Sequence, residues 1–139
     1  MPSATWLLTG KGFPSDGVRL ETTYKSGSAT SWIYHSWFDP ILAPALGGSL
    51  CAGSLNLWAA DPVHLPSPAR ALVDGIEWHF VPMIIREVEV AVAARKAIFG
   101  DIPFIEVFAR QHLASKLGLS FGDRVDVQLF SGEHLALAA

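Results

Sequence analysis

The stretch 105-IEVFARQHLASKLGLSFGDRVDVQL-129 decides the fold of this chain. Both ends of the stretch are apolar runs of strand length, and in RVDVQLF (124–130) apolar and polar residues alternate. Alternation with a period of two is typical of a strand with one buried face. Between the ends, residues 111–117 predict a short helix, and Gly118 stands where glycine often follows a last helical turn. The stretch therefore predicts a strand, a short helix, a tight turn and a second strand.

The tight turn is predicted at Gly122-Asp123, immediately before the second strand. Glycine adopts backbone angles that other residues avoid, and an aspartate side chain accepts hydrogen bonds from the backbone N–H groups of a turn. We therefore expect an unusual backbone conformation at Gly122 and a bridging carboxylate at Asp123.

The rest of the chain is predicted to add further short strands. The same criteria predict strands at 6–9, 18–24, 54–59, 79–85, 88–94 and 104–109. The proline-rich segment 61–69 is expected to be a surface loop. About seven short strands with two short helices predict a mainly β fold, a small barrel that forms a single domain over residues 1–139.

The longer of the two predicted helices covers residues 32–46, where aromatic and aliphatic residues recur every three or four positions. We expect Ser31 to cap this helix, Pro40 and Pro44 to interrupt it, and Gly47 to end it.

Composition excludes several classes of function. The chain has 139 residues and a net charge of −3, without a basic run, so nucleic-acid binding is disfavoured. A single cysteine excludes an internal disulfide and fits a reducing compartment. Neither a signal peptide nor an apolar run of the ~18 residues needed to span a membrane is recognisable, so we expect a cytoplasmic protein without a membrane partner. Because 50% of the residues are hydrophobic, we expect apolar surface to be buried in a homo-oligomer or against a small-molecule ligand.

A polar pair stands inside an apolar segment at 51-CAGSLNLW-58. Ser54 and Asn56 are two residues apart, and in a strand such residues point to the same face. Two interpretations are open: a polar strand face that hydrogen-bonds a neighbouring loop, or a site for a metal or another ligand.

These motifs together resemble the archaeal CTP-dependent riboflavin kinases. The strand–helix–Gly-Asp–strand unit is similar to the GD-box of cradle-loop barrels, and A-G-S-L-N at 52–56 is similar to the family's P-G-T-L-N motif. E-V-F-A at 106–109 and K-L-G-L at 116–119 resemble segments of its strand–helix pattern, and the motifs occur in the same order. The resemblance implies a cradle-loop-type barrel and a kinase that uses CTP or another nucleotide with Mg²⁺ to convert riboflavin, or a related small molecule, to its phosphate; the riboflavin product is FMN.

The resemblance also implies roles for individual residues. Ser54 and Asn56 correspond to the Thr and Asn that bind Mg²⁺, an ion that prefers oxygen ligands. Glu106 corresponds to a Glu near the substrate site and is the candidate catalytic residue, and Arg95 matches an Arg of the family's R-P-E motif and is a candidate for cofactor binding. The other cofactor-binding candidates belong to the glycine-rich loop, whose backbone N–H groups and lysine would contact phosphates: Gly10, Lys11, Gly12 and Gly17.

Three departures from the family pattern favour an alternative function. The loop lacks the family's Gly-Glu-Gly, Lys96-Ala97 stands in place of Pro-Glu, and A-G-S replaces P-G-T. The alternative is a non-catalytic barrel module that binds a flavin, a nucleotide or another metabolite. A further alternative is an oligomeric interaction protein that uses the apolar surface as its interface.

Other side chains have both a structural and a functional interpretation. Glu106 either contacts a ligand or forms a buried pair with Arg95 or Arg110. The aromatic residues of 32–38 belong to the core or form a flat slot for a flavin ring. The histidines do not have the spacing of a zinc site, and Cys51 is expected to be a small buried residue.

Overall fold

The computed structural model describes residues 6–27 and 31–137, with side chains from residue 34 onward in the second range. The strands are Val18–Tyr24 (β1), Leu55–Trp58 (β2), Ala69–Val73 (β3), Ile76–Ile85 (β4), Glu89–Lys96 (β5), Phe104–Phe108 (β6) and Arg124–Leu129 (β7). The helices are Trp6–Thr9 (α1), Ser31–Leu46 (α2) and Leu113–Lys116 (α3), with single 3₁₀ turns at Ala97–Phe99 and Gly132–His134.

Six of the seven strands close into an antiparallel barrel. Their order is β4-β5-β6-β2-β1-β7, and β7 pairs again with β4. The remaining strand, β3, pairs with β4 outside the barrel. The predicted mainly β fold, a small barrel with a few short helices, is thus confirmed.

Strands β4 and β5 are buried on both faces over most of their length, because one face lines the barrel interior and the other is covered from outside, whereas β1 and β7 expose their outer face. Leu55 and Leu57 belong to the interior cluster. On the outside, Phe38 and Leu42 of α2 pack against the barrel wall. Since successive strand residues point to opposite faces, β2 directs Leu55 and Leu57 inward and Asn56 outward.

Along one edge, β4 exchanges one partner for another. Its pairing with β3 ends at Phe80, and its pairing with β7 begins at Met83. Pro82 lies between them, and its carbonyl accepts a hydrogen bond from the backbone N–H of Phe130 at 3.0 Å. The backbone N and C=O of one strand residue point to the same side. Because the Pro82 carbonyl points toward the β7 side, the Pro82 nitrogen also points away from β5. The lack of an N–H at Pro82 therefore costs no hydrogen bond between β4 and β5.

The Gly-Asp turn connects β7 to the end of β1. Gly122 has a φ of 97°, and the Asp123 carboxylate accepts a hydrogen bond from the backbone N–H of Ser120 at 2.8 Å, as predicted. The backbone N–H of Gly122 donates to the carbonyl of Tyr24 at 2.7 Å, and the N–H of Tyr24 donates to the carbonyl of Asp123 at 2.9 Å. The turn therefore extends the β1–β7 pairing by two further bonds.

Residues 6–9 form one helical turn, and the predicted strand there is wrong. The backbone N–H of Gly10 donates to the carbonyl of Trp6 at 2.8 Å and closes the turn. Trp6 and Leu7 are both buried. In a strand with one buried face, consecutive residues point to opposite faces, so only one of the two would be buried. Four residues are too few for periodicity to separate a helix from a strand.

α2 runs unbroken from Ser31 to Leu46 through both of its prolines, so the predicted interruption is wrong. Phe38, Leu42 and Leu46 share one face of the helix and are almost fully buried on the barrel. Burial of such a side chain is worth about 1.5–3 kcal/mol, so the three together match the order of the proline penalty, about 3 kcal/mol for each. Among the described residues, neither α2 nor any other helix has the length and apolar character needed to cross a membrane.

Strand β3 was not predicted from the sequence. Asp74 and Gly75 have φ angles of 53° and 76° and connect β3 to β4 as a two-residue hairpin turn. Asp-Gly is a strong signal for such a turn. The preceding segment, expected as a surface loop, also contributes to the core, because Val63 and Leu65 insert into the barrel interior cluster.

The turn between β4 and β5 predicts a stabilising substitution. Arg86 and Glu87 have φ angles of 48° and 65°, a region that costs residues other than glycine about 1–2 kcal/mol. Glu87→Gly is expected to raise the free energy of unfolding by about 1 kcal/mol, because the lost ion pair with Arg19 is exposed and contributes little. Urea unfolding measures this change. Glu133→Gly, at an exposed position without a positive φ, is the control and should not stabilise the protein. A Glu87→Gly variant no more stable than wild type would contradict the prediction.

Candidate functional site

Three polar residues lie at neighbouring positions on the outer face of the barrel, on β2 and β6. Asn56 lies directly opposite Glu106 in the strand register. Ser54, immediately before β2, donates a hydrogen bond from its hydroxyl to the Glu106 carboxylate at 3.0 Å. We call Ser54, Asn56 and Glu106 the polar trio. The structure therefore places the candidate catalytic residue beside the two candidate metal ligands.

Contacts from two sides fix the backbone that leads into Ser54. The Asp39 carboxylate accepts a hydrogen bond from the N–H of Leu50 at 2.6 Å, and His35 Nε2 donates to the carbonyl of Leu50 at 2.8 Å. The N–H of Cys51, a half-buried residue, donates to the carbonyl of Ala109 at 2.8 Å. The segment between α2 and β2 is thus held by α2 and by the end of β6.

Burial dominates the electrostatics of Glu106. It raises the pKa of the carboxyl, while the hydrogen bond from Ser54 and the positive charge of Lys96 act in the opposite direction. Among the described residues, the Glu106 side chain bonds to Ser54 and not to Arg95 or Arg110, the two pairings that the sequence left open. Glu106 is therefore a partly desolvated acid with a hydroxyl partner and a nearby cation.

The Asn56 carboxamide lies against the backbone of Gly27. A Cβ added at Gly27 would collide with this carboxamide, so the close approach requires glycine. The N–H of Lys25 donates to the carbonyl of Asn56 at 3.1 Å. The segment that follows β1 therefore packs on one side of the polar trio.

Aromatic rings border the polar trio along the sheet. Trp58 is two residues from Asn56 on the same face, and its ring lies 4.8 Å from that of Phe104, with 39% of Trp58 exposed. On the β5 side, the ammonium group of Lys96 makes cation–π contacts at 5.7–5.9 Å from the ring centroids of Tyr34, Trp78 and Phe99. The trio is thus a polar patch on a largely aromatic surface.

The aromatic residues of α2 divide between core and surface. Phe38 is fully buried and packs edge-on against Trp78, Phe80 and Phe108, as expected for a core residue. Trp37 is 36% exposed and contacts Tyr34. The side chain of Trp32 lies outside the described residues.

A cleft of about 230 Å³ lies next to the segment that follows β6, and no member of the polar trio lines it. Gly10 lines it together with Ala109, Arg110 and Gln111, which follow β6. A smaller cavity, lined by Ser54, shares the wall formed by Ala109 and Gln111. The segment after β6 therefore stands between Ser54 and the glycine-rich loop.

The far end of the glycine-rich loop is fixed to the C-terminal part of the barrel. The ring of Phe13 packs 5.6 Å from that of Phe130, and the Asp16 carboxylate lies 2.8 Å from His134 Nε2. Gly17 packs so closely on Gln128 and Phe130 that a Cβ there would collide with both. The loop is thus held at 13–17 and free of such contacts at Gly12, where a Cβ would meet open space.

The structure separates the five cofactor-binding candidates. Gly10 lines the cleft, whereas Lys11 and Gly12 adjoin it along the chain and Gly17 packs on β7. Arg95 lies elsewhere, with its buried guanidinium bonded to backbone carbonyls and to Asp101. Burial lowers the pKa of Arg95, and the charge of Asp101 partly offsets this effect.

Arg110 is a site residue that the sequence predicted only as a possible partner for Glu106. It lines the cleft, and its guanidinium approaches Gly48 so closely that a Cβ there would lie 2.7 Å from Nε. The antiparallel register provides a signal for it. Because β2 and β6 pair with Leu55 opposite Val107, residues after β6 lie beside residues before β2, so Arg110 lies near the segment that leads to Ser54.

Metal binding by the polar trio would depend on oxygen donors of three kinds. Within residues 6–27 and 31–137, no three His, Cys, Asp or Glu side chains cluster as metal ligands. A metal ion at the trio would therefore be held by a hydroxyl and an amide oxygen beside one carboxylate, and completed by water or substrate. Such a donor set suits a hard cation.

Comparison with known proteins gives no family assignment. No family model matches the chain, and no curated protein matches its sequence. The geometry of the site and the motif resemblance are the basis for the function proposed below.

Glu106→Gln is expected to gain stability relative to wild type as pH rises. Burial raises the pKa of Glu106 above its ordinary value of 4.5, so the folded protein holds this proton more tightly than the unfolded chain. The stabilising effect of the protonated group is present below the ordinary pKa and is lost as pH rises through the folded-state pKa. Glutamine does not titrate, so the variant keeps its stability.

Urea unfolding of both proteins from about pH 4 to about pH 8 measures this difference. Glu21→Gln, which replaces a glutamate on the exposed face of β1, is the matched control and should show no comparable trend. A difference between Glu106→Gln and wild type that is constant with pH would contradict the prediction.

Proposed function

We propose that this protein is a riboflavin-kinase-like phosphotransferase, which uses a nucleoside triphosphate and Mg²⁺ to phosphorylate riboflavin or a related planar molecule. One observation carries the proposal: Ser54 bonds to Glu106, 52 positions away in the chain, opposite Asn56. Residues that resemble two separate motifs of the riboflavin kinases thus form one polar group.

The donor atoms of the polar trio fit Mg²⁺. The Ser54 hydroxyl, the Asn56 carbonyl oxygen and the Glu106 carboxylate are hard oxygen ligands, and Mg²⁺ in such sites keeps several waters and binds substrate phosphates. In this proposal Ser54 and Asn56 hold the ion. When bound, the ion would neutralise charge on the nucleotide phosphates.

The cleft lined by Gly10 and Arg110 suits a nucleotide. It combines the backbone of Gly10 with the positive side chains of Arg110 and Lys116. Lys116 is paired with Glu89 at 3.0 Å, so Arg110 is the stronger candidate for a phosphate contact. In this proposal the terminal phosphate of a nucleotide in the cleft extends past the wall formed by Ala109 and Gln111 toward Ser54.

The aromatic surface suits a planar acceptor. Trp58 and Phe104 lie on the same strand face as Asn56 and Glu106, and Trp58 is partly exposed. A flavin ring stacked there would bury apolar area, and its hydroxylated chain could reach the polar trio.

The proposed chemistry requires little from the chain beyond positioning and charge. The acceptor hydroxyl oxygen forms a bond to the terminal phosphorus, and the bond from that phosphorus to the bridging oxygen breaks, which releases a nucleoside diphosphate. The hydroxyl proton passes to the Glu106 carboxylate. Burial raises the pKa of this group, which makes it a better base than an exposed glutamate.

A second candidate function is a binding module without turnover. It is favoured by the glycine-rich loop, in which Lys11 is exposed and does not line the cleft. The fold, the cleft and the aromatic surface would be the same in such a module. The two functions differ in whether product is formed.

Turnover is tested by incubating the protein with riboflavin, MgCl₂ and either CTP or ATP, and by measuring FMN chromatographically. We expect FMN formation with at least one nucleotide, and a fall in kcat of about 10²-fold or more for Glu106→Gln. Glu21→Gln is the matched control and should keep full activity. Flavin binding without FMN formation would contradict the kinase proposal and support the binding module.

Arg110→Gln is expected to raise KM for the nucleotide about tenfold, since a charge-assisted contact to phosphate contributes more than about 1.4 kcal/mol. KM for riboflavin should change little. Lys11→Gln is the comparison variant and should have the smaller effect, because Lys11 does not line the cleft. A larger effect of Lys11→Gln would contradict this assignment of the nucleotide site.

A further inference from the structure

Three basic residues lie in one row across three neighbouring strands. Arg70 of β3 is directly opposite His79 of β4, and His79 is directly opposite Arg95 of β5. Residues directly opposite in antiparallel strands share a face, and like charges at such positions are unfavourable unless something compensates them. We call this set the basic row.

The basic row lies at one end of the barrel. Along β5, Arg95 follows Ala91 and Ala93 on the face that lines the barrel interior. His79 stands in the same relation to the interior residues of β4, and segment 61–68 covers this end with Val63. Arg95 and His79 thus lie on the strand faces that line the barrel interior, just beyond the last apolar side chains of the interior cluster.

A cavity of about 200 Å³ opens at the basic row. Basic residues form half of its lining: His64, Arg70, His79, Arg95 and Lys96. Asp101 is the acidic residue that lines it. This concentration of basic groups contrasts with the net charge of −3 of the whole chain. The ammonium group of Lys96 lies over aromatic rings, so we do not count it among the ligands proposed below.

Local partners compensate part of this charge. Arg95 donates to the carbonyl of Val63 at 2.8 Å and to Asp101 at 3.3 Å. Asp101 also lies 3.2 Å from His64, so one carboxylate serves two basic groups. His79 lies 2.8 Å from the Glu77 carboxylate. Arg70 has no ion pair or side-chain hydrogen bond with any residue in the described part of the chain.

We propose that the cavity at the basic row binds a small oxyanion, the phosphate or carboxylate group of a metabolite. Arg70 and His79 contact the anion, and the buried charge of Arg95 attracts it from below. Arg70 brings unpaired N–H donors whose fork geometry matches an oxyanion. Arg95 is only 6% exposed, and an anion beside it offsets the cost of keeping a cation out of water.

This site is separate from the proposed kinase site. Neither Gly10 nor any member of the polar trio lines the basic-row cavity. Its occupancy can therefore be measured by binding alone, and the result does not depend on whether the protein phosphorylates riboflavin.

Titration of the ¹⁵N-labelled protein with sodium phosphate and, separately, with sodium succinate tests the proposal, at an ionic strength held constant with NaCl. We expect saturable shifts of backbone amides around residues 70, 79 and 95 with at least one of the two anions. Phosphate alone would identify a phosphate ester as the ligand class, and succinate alone a carboxylate. Both results support an oxyanion site.

Arg70→Gln is the deciding variant, because Arg70 is exposed on the outermost strand and its loss should leave the fold intact. It should weaken anion binding about tenfold or more. Arg19→Gln, at an exposed arginine of β1, should bind as wild type does, and Arg110→Gln, in the cleft, should leave the shifts around residues 70, 79 and 95 unchanged. The proposal is overturned if neither anion shifts these amides beyond NaCl, if Arg70→Gln binds as tightly as wild type, or if Arg110→Gln abolishes the binding instead.

Discussion

Closure of the sheet between β4 and β7 is the constraint on which the rest of the structure depends. It requires β4 to leave β3 and take β7 along the same edge, and Pro82 lies where that exchange occurs. Once the sheet closes, every strand has one face toward the barrel interior and one toward the exterior. An apolar residue that points into the interior therefore directs the next residue of the strand to the exterior. Leu55 and Leu57 fill the interior, so Asn56 must face outward. The position of the polar trio is therefore a consequence of core packing.

The outer layer makes that position specific. α2 covers part of the barrel wall with a continuous apolar face, and the energy of this burial retains a helix that contains two prolines. The same helix supplies Asp39 and His35, which hold both backbone groups of Leu50 and so fix the chain a few residues before Ser54. Core burial and site geometry are thus coupled through one segment, and a loss of helix packing would displace the Ser54 hydroxyl.

The sequence pattern predicted those features of the fold that depend on neighbouring residues in the chain. The alternation of apolar and polar residues predicted the bounds of β1 correctly, and Gly122-Asp123 predicted the turn before β7. Both features depend on a few adjacent residues. Periodicity could not predict the helical turn at 6–9, since a segment of four residues fits a helix and a strand equally well. The contact between Ser54 and Glu106 depends on the β2–β6 register, which is set by closure of the whole barrel and not by either segment alone. The motif resemblance brought these residues together in one hypothesis, but the hydrogen bond between them is visible only in the three-dimensional structure.

Arg95 matches a residue of the riboflavin kinase motif, but the match did not predict the direction in which its side chain points. Arg95 and Lys96 are neighbours of the same charge at the end of β5, yet strand geometry sends them to opposite faces. Lys96 is directed to the outer face, where its charge acts on Glu106, and Arg95 is directed to the barrel end, where it joins the basic row. One strand therefore contributes a cation to each of two environments, one built around a partly buried acid and one around a cluster of basic residues. The functions proposed for the two environments therefore both depend on the period of two in β5.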